Sequence, residues 1–298
     1  MSLPDGITSR PLRQKDAALV AELLAEDERH FGLPPSITEQ DVRSWWLRTD
    51  LDHDSWLLQE NGTAIGGGWF DRLDDHAFGG GCIAPGEKGR GLGSWLTETM
   101  ESHARGLGLN LIRNVTTAKD TDARALFEAR DYREARRHWV MAIELDEEPP
   151  APELPDGLAL ETFREEDARA FHDATKEAFA DEWGFHAMPF DHWWEMRKGD
   201  DTSLWFVIRD SGEIAANARC DEMRGGGFVG SLAVRKPWRR QGLGRALLLH
   251  AFREFRNRGF NRASLGVDSE NPTGATRLYE SVGMHVESEH VTFEKELA

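Results

Sequence analysis

The sequence predicts an α+β fold that occurs twice, each copy with a mixed central sheet flanked by helices. Three observations support this prediction. Six sequence blocks recur in the same order at shifts of 148 to 152 residues. A proline-rich segment separates the two sets of blocks. Within each set, alternating apolar stretches typical of strands are interleaved with stretches of helical period.

The repeat is visible along the whole chain. Its paired blocks begin at Asp5 and Asp156, Trp45 and Trp193, Ser55 and Leu204, Glu87 and Trp238, Ala125 and Arg277, and His138 and His290. Between the copies, residues 146–155 (DEEPPAPELP) lack periodicity and are typical of a semi-rigid linker. We therefore predict domains at 1–145 and 156–298, joined by a linker at 146–155.

Each copy has one predicted order of elements. An opening strand (7–13 or 158–163) precedes a helix that begins near Asp16 or Asp167, both plausible N-caps. A tryptophan-containing helical segment follows, and its Trp45-Trp46 or Trp193-Trp194 pair is interpreted as core packing. A hairpin then turns at Asn61-Gly62 or Ser211-Gly212. A strand, glycine loop, helix, strand and helix come next, and a last strand is expected to close its own half.

Composition narrows the class of protein. Among 298 residues, 39% are hydrophobic, with 11 Trp and 15 Phe, which is enough for a packed core. The net charge of −17 argues against nucleic-acid and membrane partners, since both usually need a basic surface. The two cysteines, Cys82 and Cys220, are too few for a disulfide framework. With no signal-peptide core or long apolar run, we expect a cytoplasmic protein, and its oligomeric state stays open.

The glycine loop of the second copy is the clearest chemical motif. It follows a short apolar strand, contains Gly242 and Gly244, and leads into a helix with apolar residues every four positions from Leu243. A strand that ends in a turn at a helix N-terminus presents backbone N–H groups to an anion. Asn271-Pro272 is expected to open the next helix. A Walker loop is disfavoured because Arg245 follows Gly244, and a Rossmann loop because Leu247 replaces the third glycine.

The motif Arg239-x-x-Gly242-x-Gly244, with Asn271 and Leu278-Tyr279 further on, resembles that of the GNAT acetyltransferase superfamily. The tandem arrangement looks like that of the two-domain, mycothiol synthase-like members. This resemblance implies two GNAT domains and acetyl-CoA as cosubstrate. It also implies that the backbone of Leu232, Ala233 and Val234 pairs with the pantetheine arm and that Asn271 contacts the arm. The pyrophosphate would be bound by the loop, which comprises Arg239, Arg240, Gln241, Gly242, Leu243, Gly244 and Arg245. The three arginines would supply positive charge.

The resemblance further implies that an amine attacks the thioester directly. A backbone N–H near Val234 would then stabilise the oxyanion. Tyr279 is the candidate acid for the departing thiolate, since a phenol has a proton to give. The base stays open, because Phe228 stands where several family members have a glutamate. The alternatives are Glu182, His186, Asp221, Glu222 and Asp268.

The first copy departs from the motif and is predicted to be catalytically silent, serving as a packing partner or a vestigial CoA site. Lys88 stands at the position of Arg239, Phe127 at that of Tyr279, and Asp120 near that of Asn271. We therefore expect an N-acetyltransferase that acts through the second copy on a small-molecule amine. The alternatives are a non-catalytic acyl-CoA sensor, or transfer to a protein or peptide amine. Trp183 is a candidate wall of the acceptor site, and no metal site is expected from His186, His192 and Glu195.

Overall fold

The computed structural model describes the chain except for residues 1, 74–75, 181, 183–184, 186, 198, 224, 272 and 298. The chain forms two compact units, which we call unit 1 (Met1–Trp139 with Glu287–Ala298) and unit 2 (Val140–Val286). Each has a mixed sheet flanked by helices, which confirms the predicted α+β class. No helix among the described residues is both long and apolar enough to span a bilayer.

The first half of the chain contains six strands and four α-helices among the described residues. They are β1 (Ile7–Arg10), α1 (Ala17–His30), α2 (Glu39–Trp45), β2 (Ser55–Glu60), β3 (Thr63–Arg72), β4 (Ala77–Ile83), α3 (Leu92–Gly106), β5 (Leu111–Thr117), α4 (Thr121–Ala129) and β6 (Arg133–Glu144).

The described part of the second half repeats this order of elements. They are β7 (Leu158–Thr162), α5 (Ala168–Phe179), α6 (Phe190–Glu195), β8 (Trp205–Asp210), β9 (Glu213–Met223), β10 (Gly226–Val234), α7 (Leu243–Asn257), β11 (Arg262–Asp268), α8 (Ala275–Ser281) and β12 (His285–Glu296).

The last strand of each half lies in the sheet of the other unit. In unit 1 the strand order is β1-β2-β3-β4-β5-β12, and β12 pairs antiparallel with β5 from His290 opposite Thr117 to Glu296 opposite Leu111. In unit 2 the order is β6-β11-β10-β9-β8-β7. The prediction that each last strand closes its own half is therefore wrong. The two strands carry equivalent sequences, so sequence pattern does not decide which sheet each one completes. The compact units accordingly differ from the predicted halves at residues 140–145 and 287–298.

The tryptophan pairs pack in the cores, as predicted. In unit 1, Trp46 is 1% exposed and meets Trp69 edge-on, with ring centroids 5.8 Å apart. In unit 2, Trp193 stacks on Phe171 at 6.2 Å and lies 5.9 Å from Trp205. Each pair thereby holds the helical segment that contains it onto the adjoining sheet.

Local backbone geometry follows the turn residues, with one exception. The hairpin residues Asn61 and Gly62 have φ values of 50° and 82°, the left-handed pair that a tight two-residue turn needs. The prediction that Asn271-Pro272 opens a helix is wrong, because α8 begins at Ala275 after Gly274. The Asn271 side chain instead accepts a hydrogen bond from the Thr273 N–H at 2.9 Å, which favours a turn at that point.

Candidate active site

The glycine loop of unit 2 joins β10 to α7. Gly242 has a φ of 85° and caps the helix, which begins at the predicted residue, Leu243. The Ala246 N–H donates to the Gly242 carbonyl at 3.0 Å, whereas the N–H groups of the preceding helical residues have no carbonyl within the helix to bind. The N–H groups of residues 241–245, which we call the amide nest, therefore form an arrangement suited to an anion.

Close packing at Gly244 holds the start of α7 in place. A side chain at this position would put its Cβ 2.9 Å from Cδ2 of Leu278 and 3.7 Å from Cγ2 of Val234. The first of these distances is shorter than a normal carbon–carbon contact, so a larger residue here would displace the Leu278 side chain. The amide nest is thus packed directly against α8 and the end of β10.

The arginines near the nest bind backbone carbonyl groups. Arg239 donates from Nε to the Val234 carbonyl at 3.2 Å and from Nη2 to the Ala178 carbonyl at 3.0 Å. Arg245 donates from Nη1 to the Ser281 carbonyl at 2.9 Å. These bonds tie the loop to β10, to the end of α5 and to α8, while the positive charges remain beside the nest.

The strand β10 separates from its parallel neighbour, β11, before it reaches the glycine loop. The parallel ladder between β10 and β11 covers Gly227 to Val229, whereas the antiparallel ladder with β9 continues to Val234. A β-bulge at Gly230 separates the two parts. The predicted pantetheine-pairing residues, 232–234, therefore lie where the β10 backbone has left β11, which suits the addition of an extended ligand to the strand edge.

Tyr279, Glu182 and Asn271 form a cluster of polar side chains in unit 2. Burial, reinforced by the negative charge of Glu182, raises the pKa of Tyr279 to about 12, and its side chain is 8% exposed. The Asn271 Nδ2 group donates to Glu182 Oε1 at 3.1 Å. Burial raises the pKa of Glu182, and the Asp268 charge adds to this effect against the hydrogen bond from Asn271. The cluster thus places a protonated phenol within electrostatic range of a carboxyl group with an elevated pKa.

The other base candidates are placed less favourably. Asp221 lies opposite Phe228 in the β9–β10 ladder and is paired with Arg219. Glu222 is exposed, and Asp268 Oδ1 accepts from the Glu270 N–H at 2.8 Å. His186 and Trp183 lie outside the described residues. No group of three or more His, Cys, Asp or Glu in the described chain is arranged to hold a metal ion.

The equivalent loop of unit 1 keeps its turn but has different side chains around it. Gly91 has a φ of 78° and caps α3. The Lys88 Nζ lies 3.0 Å from an Asp120 carboxylate oxygen and 3.3 Å from one of Asp27. Phe127 is 8% exposed and packs on Phe293 with ring centroids 5.3 Å apart. The loop cation is thus held by two carboxylates, and the position of the phenol is apolar.

Two arginines near the bulge of β10 were not singled out from the sequence. Arg197 follows α6, and Arg219 lies on β9. Neither belongs to a motif, and they are 22 residues apart in the chain. Only the packing of α6 on the sheet brings them together.

Comparisons with known proteins agree with this architecture. The model of the acetyltransferase (GNAT) family matches residues 19–132 and again residues 166–284. The mycothiol acetyltransferase of Thermobispora bispora is 31% identical over 238 residues, which are 76% of this chain and 79% of that protein.

Solved structures match over nearly the full length. A GCN5-related N-acetyltransferase from Sphaerobacter thermophilus superposes with a TM-score of 0.88 at 33% identity, covering 99% of this chain and 97% of that one. A tandem GNAT protein from the clavulanic acid biosynthesis pathway has a TM-score of 0.78 at 16% identity, covering 98% and 99%. The second likeness shows a shared fold.

Proposed function

Since the chain belongs to the GNAT acetyltransferase family, and is therefore an acetyl-CoA-dependent N-acetyltransferase, we propose that unit 2 performs the transfer and that the acceptor is a small-molecule amine. The observation that carries this proposal is the meeting of three features in unit 2. They are the amide nest, the parted end of β10, and the Tyr279–Glu182–Asn271 cluster. Unit 1 has the glycine turn and a similarly parted strand, because β4 pairs with β5 only from Ala77 to Gly79 but with β3 as far as Ile83. It lacks the third feature, since Phe127 stands at the position of Tyr279 and the loop cation Lys88 is paired with Asp120.

The residues present fit acetyl-CoA. The amide nest offers N–H donors to the pyrophosphate, and Gly244 lets that end of α7 approach α8 and β10. The free edge of 232–234 offers backbone groups to the pantetheine amides. We also propose that Asn271 contacts the pantetheine arm, as the resemblance to the family implies. When bound, acetyl-CoA supplies the activated acetyl group.

Proton movement is assigned to two side chains. Glu182, with its raised pKa, accepts the proton that the acceptor ammonium group must lose before the neutral amine can attack. Tyr279 keeps its proton at neutral pH and donates a hydrogen bond to the departing thiolate. A backbone N–H near Val234 would stabilise the oxyanion. The two groups act on opposite sides of one transfer, so both are needed for turnover.

The acceptor proposal has independent support. The mycothiol acetyltransferase relative is 31% identical, and its name supports a small-molecule acceptor. Phe228 stands where several family members carry a glutamate. This difference indicates that the acceptor site of this chain differs from the acceptor site of those members.

The test is release of free CoA from acetyl-CoA in the presence of a panel of small amines, detected with a thiol reagent. Burial raises the pKa of the Cys82 thiol to about 12 and also raises that of Cys220, so both should react slowly and leave a low background. CoA release with any amine, strongly lowered in a Tyr279→Phe variant, supports the proposal. Acetyl-CoA binding with no turnover on any amine would instead favour the sensor function.

A further inference from the structure

Two arginines and two aspartates form a charged cluster on one face of unit 2. Arg197 Nη1 lies 3.4 Å from Asp200 Oδ2, and Arg219 pairs with Asp221. The arginine side chains are 28% and 17% exposed. We call these four residues the arginine cluster. It belongs to neither the amide nest nor the Tyr279–Glu182–Asn271 cluster.

The arginine cluster lies at the bulge of β10. A side chain at Gly230 would put its Cβ 2.3 Å from Arg219 Nη2, so the guanidinium lies directly on this glycine. A pantetheine arm that started at the amide nest and ran along residues 234 to 232 would end near Gly230. Arg219 is therefore placed at the thioester end of the proposed cosubstrate path, where an acceptor must arrive.

The donors of the cluster are incompletely used. Burial lowers the pKa of Arg197, and the like charge of Arg219 lowers it further. Within the described residues, the Arg197 Nε group is buried and has no hydrogen-bond partner. A buried N–H without an acceptor costs free energy, and an incoming acceptor group that satisfies it regains that energy. The unpaired N–H group therefore favours the binding of an anion at the arginine cluster.

The residue opposite Asp221 on β10 adds no further negative charge to this face of the sheet. Phe228 lies directly opposite Asp221, and paired residues of an antiparallel ladder share one face of the sheet. Phe228 is therefore on the same face as the arginine cluster. An apolar residue here places no carboxylate against an anionic ligand, as a glutamate at this position would do.

We propose that Arg197 and Arg219 bind a carboxylate of the acceptor, so that the substrates are amines that also carry a carboxylate, such as amino acids. This inference rests on the proposed function of unit 2. The planar guanidinium fork matches the two oxygens of a carboxylate. Asp200 and Asp221 hold the two guanidinium groups in position. The acceptor amine then lies toward Gly230 and the thioester.

The experiment compares matched acceptors in the CoA-release assay. Free amino acids and the corresponding amino-acid carboxamides differ in the charge of one group, which also lowers the pKa of the carboxamide's amine, so the two are compared at several pH values. We expect kcat/KM for the best free acid to exceed that of its carboxamide by about 10-fold or more. Arg219→Gln and Arg197→Gln should each lower kcat/KM for the acid by about 10- to 100-fold and change that of the carboxamide by less than about 2-fold.

Controls separate recognition from folding. Arg219→Lys keeps the positive charge but loses the planar guanidinium group. A loss of kcat/KM for the free acid that is smaller than in Arg219→Gln therefore supports the proposal. Arg164→Gln, at a 61% exposed arginine elsewhere in unit 2, should leave both acceptors unchanged. If Arg219→Gln lowers the melting temperature strongly, Arg197→Gln decides the matter.

The failures are distinguishable. Equal turnover of acid and carboxamide by the unaltered chain, or an equal loss for both acceptors in both variants, would overturn the carboxylate proposal. A preference for phosphorylated amines over carboxylates would also overturn it. Absence of CoA release with every amine, charged or neutral, would instead overturn the proposed function itself.

Discussion

The Asn271 side-chain amide donates a hydrogen bond to the Glu182 carboxylate, with Nδ2 and Oε1 3.1 Å apart. This bond joins the turn before α8 to the segment that follows α5, across 89 residues of sequence. It holds Glu182 close enough to Tyr279 for its negative charge to help raise the pKa of the phenol. The proposed base, acid and cosubstrate contact are therefore one electrostatic unit, and the next two predictions concern it.

Tyr279→Phe should lower kcat by about 100-fold, because the departing thiolate loses a hydrogen-bond and proton donor. The affinity for acetyl-CoA should change by less than about 2-fold, since the buried ring is retained. Steady-state CoA release and titration calorimetry measure the two quantities. The pKa of about 12 means that Tyr279 keeps its proton across the neutral range, so the unaltered enzyme should lose no activity through its ionisation below about pH 10.

The control is Tyr132→Phe, since the chain has 2 tyrosines. Tyr132 lies in unit 1, where its hydroxyl accepts a hydrogen bond from the Asn114 amide at 3.2 Å. This variant should lose some stability and keep its turnover. Full activity in Tyr279→Phe would show that the phenol is only a packing residue.

Glu182→Gln should remove the acidic limb of the pH profile of kcat/KM. The carboxylate form accepts the proton, so activity of the unaltered enzyme falls as pH drops through the raised pKa of Glu182. Glutamine can still accept the Asn271 hydrogen bond but cannot accept a proton. We expect about 100-fold lower kcat/KM near pH 7. A variant with an unchanged acidic limb would assign the base to another residue.

The same substitution has an opposite effect on stability. Burial raises the folded-state pKa of Glu182 above its ordinary value. Its contribution to stability is therefore fully present below the unfolded-state pKa and is lost as pH rises through the folded-state pKa. Glu182→Gln should consequently melt at a higher temperature than the unaltered chain at pH 7. The difference should shrink toward pH 4, and thermal melts at several pH values measure it.

The sequence was sufficient for the features that depend on local pattern. The doubled α+β fold followed from the repeat, the hairpin turns from Asn61-Gly62 and Ser211-Gly212, and the start of α7 from Gly242. Turn geometry and helix periodicity are properties of neighbouring residues, so they are visible without tertiary structure.

Features that depend on distant contacts were not predictable. Glu182 remained one of five base candidates, because its environment is created by Asn271 and Asp268 far along the chain. Arg197 and Arg219 belong to no motif and meet only after α6 packs. The exchange of last strands was concealed by the repeat itself, since two equivalent strands fit either sheet equally well by pattern.

Acetyl-CoA should bind with one site per chain in titration calorimetry. In unit 1 the loop cation, Lys88, is held by Asp120 and Asp27, and Asp120 places a negative charge near the path of the ligand. At 100 times its dissociation constant, the ligand should add about 2.7 kcal/mol to the free energy of unfolding. Two sites of similar affinity would contradict the prediction that unit 1 has lost the ligand.

A matched pair of glycine variants assigns the site. Gly244→Val forces the helix start away from Leu278, whose Cδ2 would lie 2.9 Å from a new Cβ, and should weaken acetyl-CoA binding by more than about 10-fold. Gly93→Val places its Cβ 3.3 Å from Leu126 Cδ2 in unit 1 and should leave binding unchanged. The reverse pattern would move the site to unit 1.

Because the last strands are exchanged, a core substitution in each of them should destabilise the unit whose sheet contains that strand. Phe293 comes from the second half of the chain but packs in unit 1, where it is 1% exposed and touches Phe127. Phe293→Ala should cost about 3–5 kcal/mol through lost burial and an unfilled cavity. Met141 occupies the equivalent position of β6, is fully buried and belongs to unit 2. Met141→Ala should cost about 2–5 kcal/mol.

Amide hydrogen exchange distinguishes the two effects. Phe293→Ala should speed exchange in β5, which pairs with β12, and leave β11 protected. Met141→Ala should speed exchange in β11, the neighbour of β6, and leave β5 protected. If each last strand closed its own half, the two patterns would be reversed. Because both variants keep the proposed site residues, the experiment tests the strand exchange independently of catalysis.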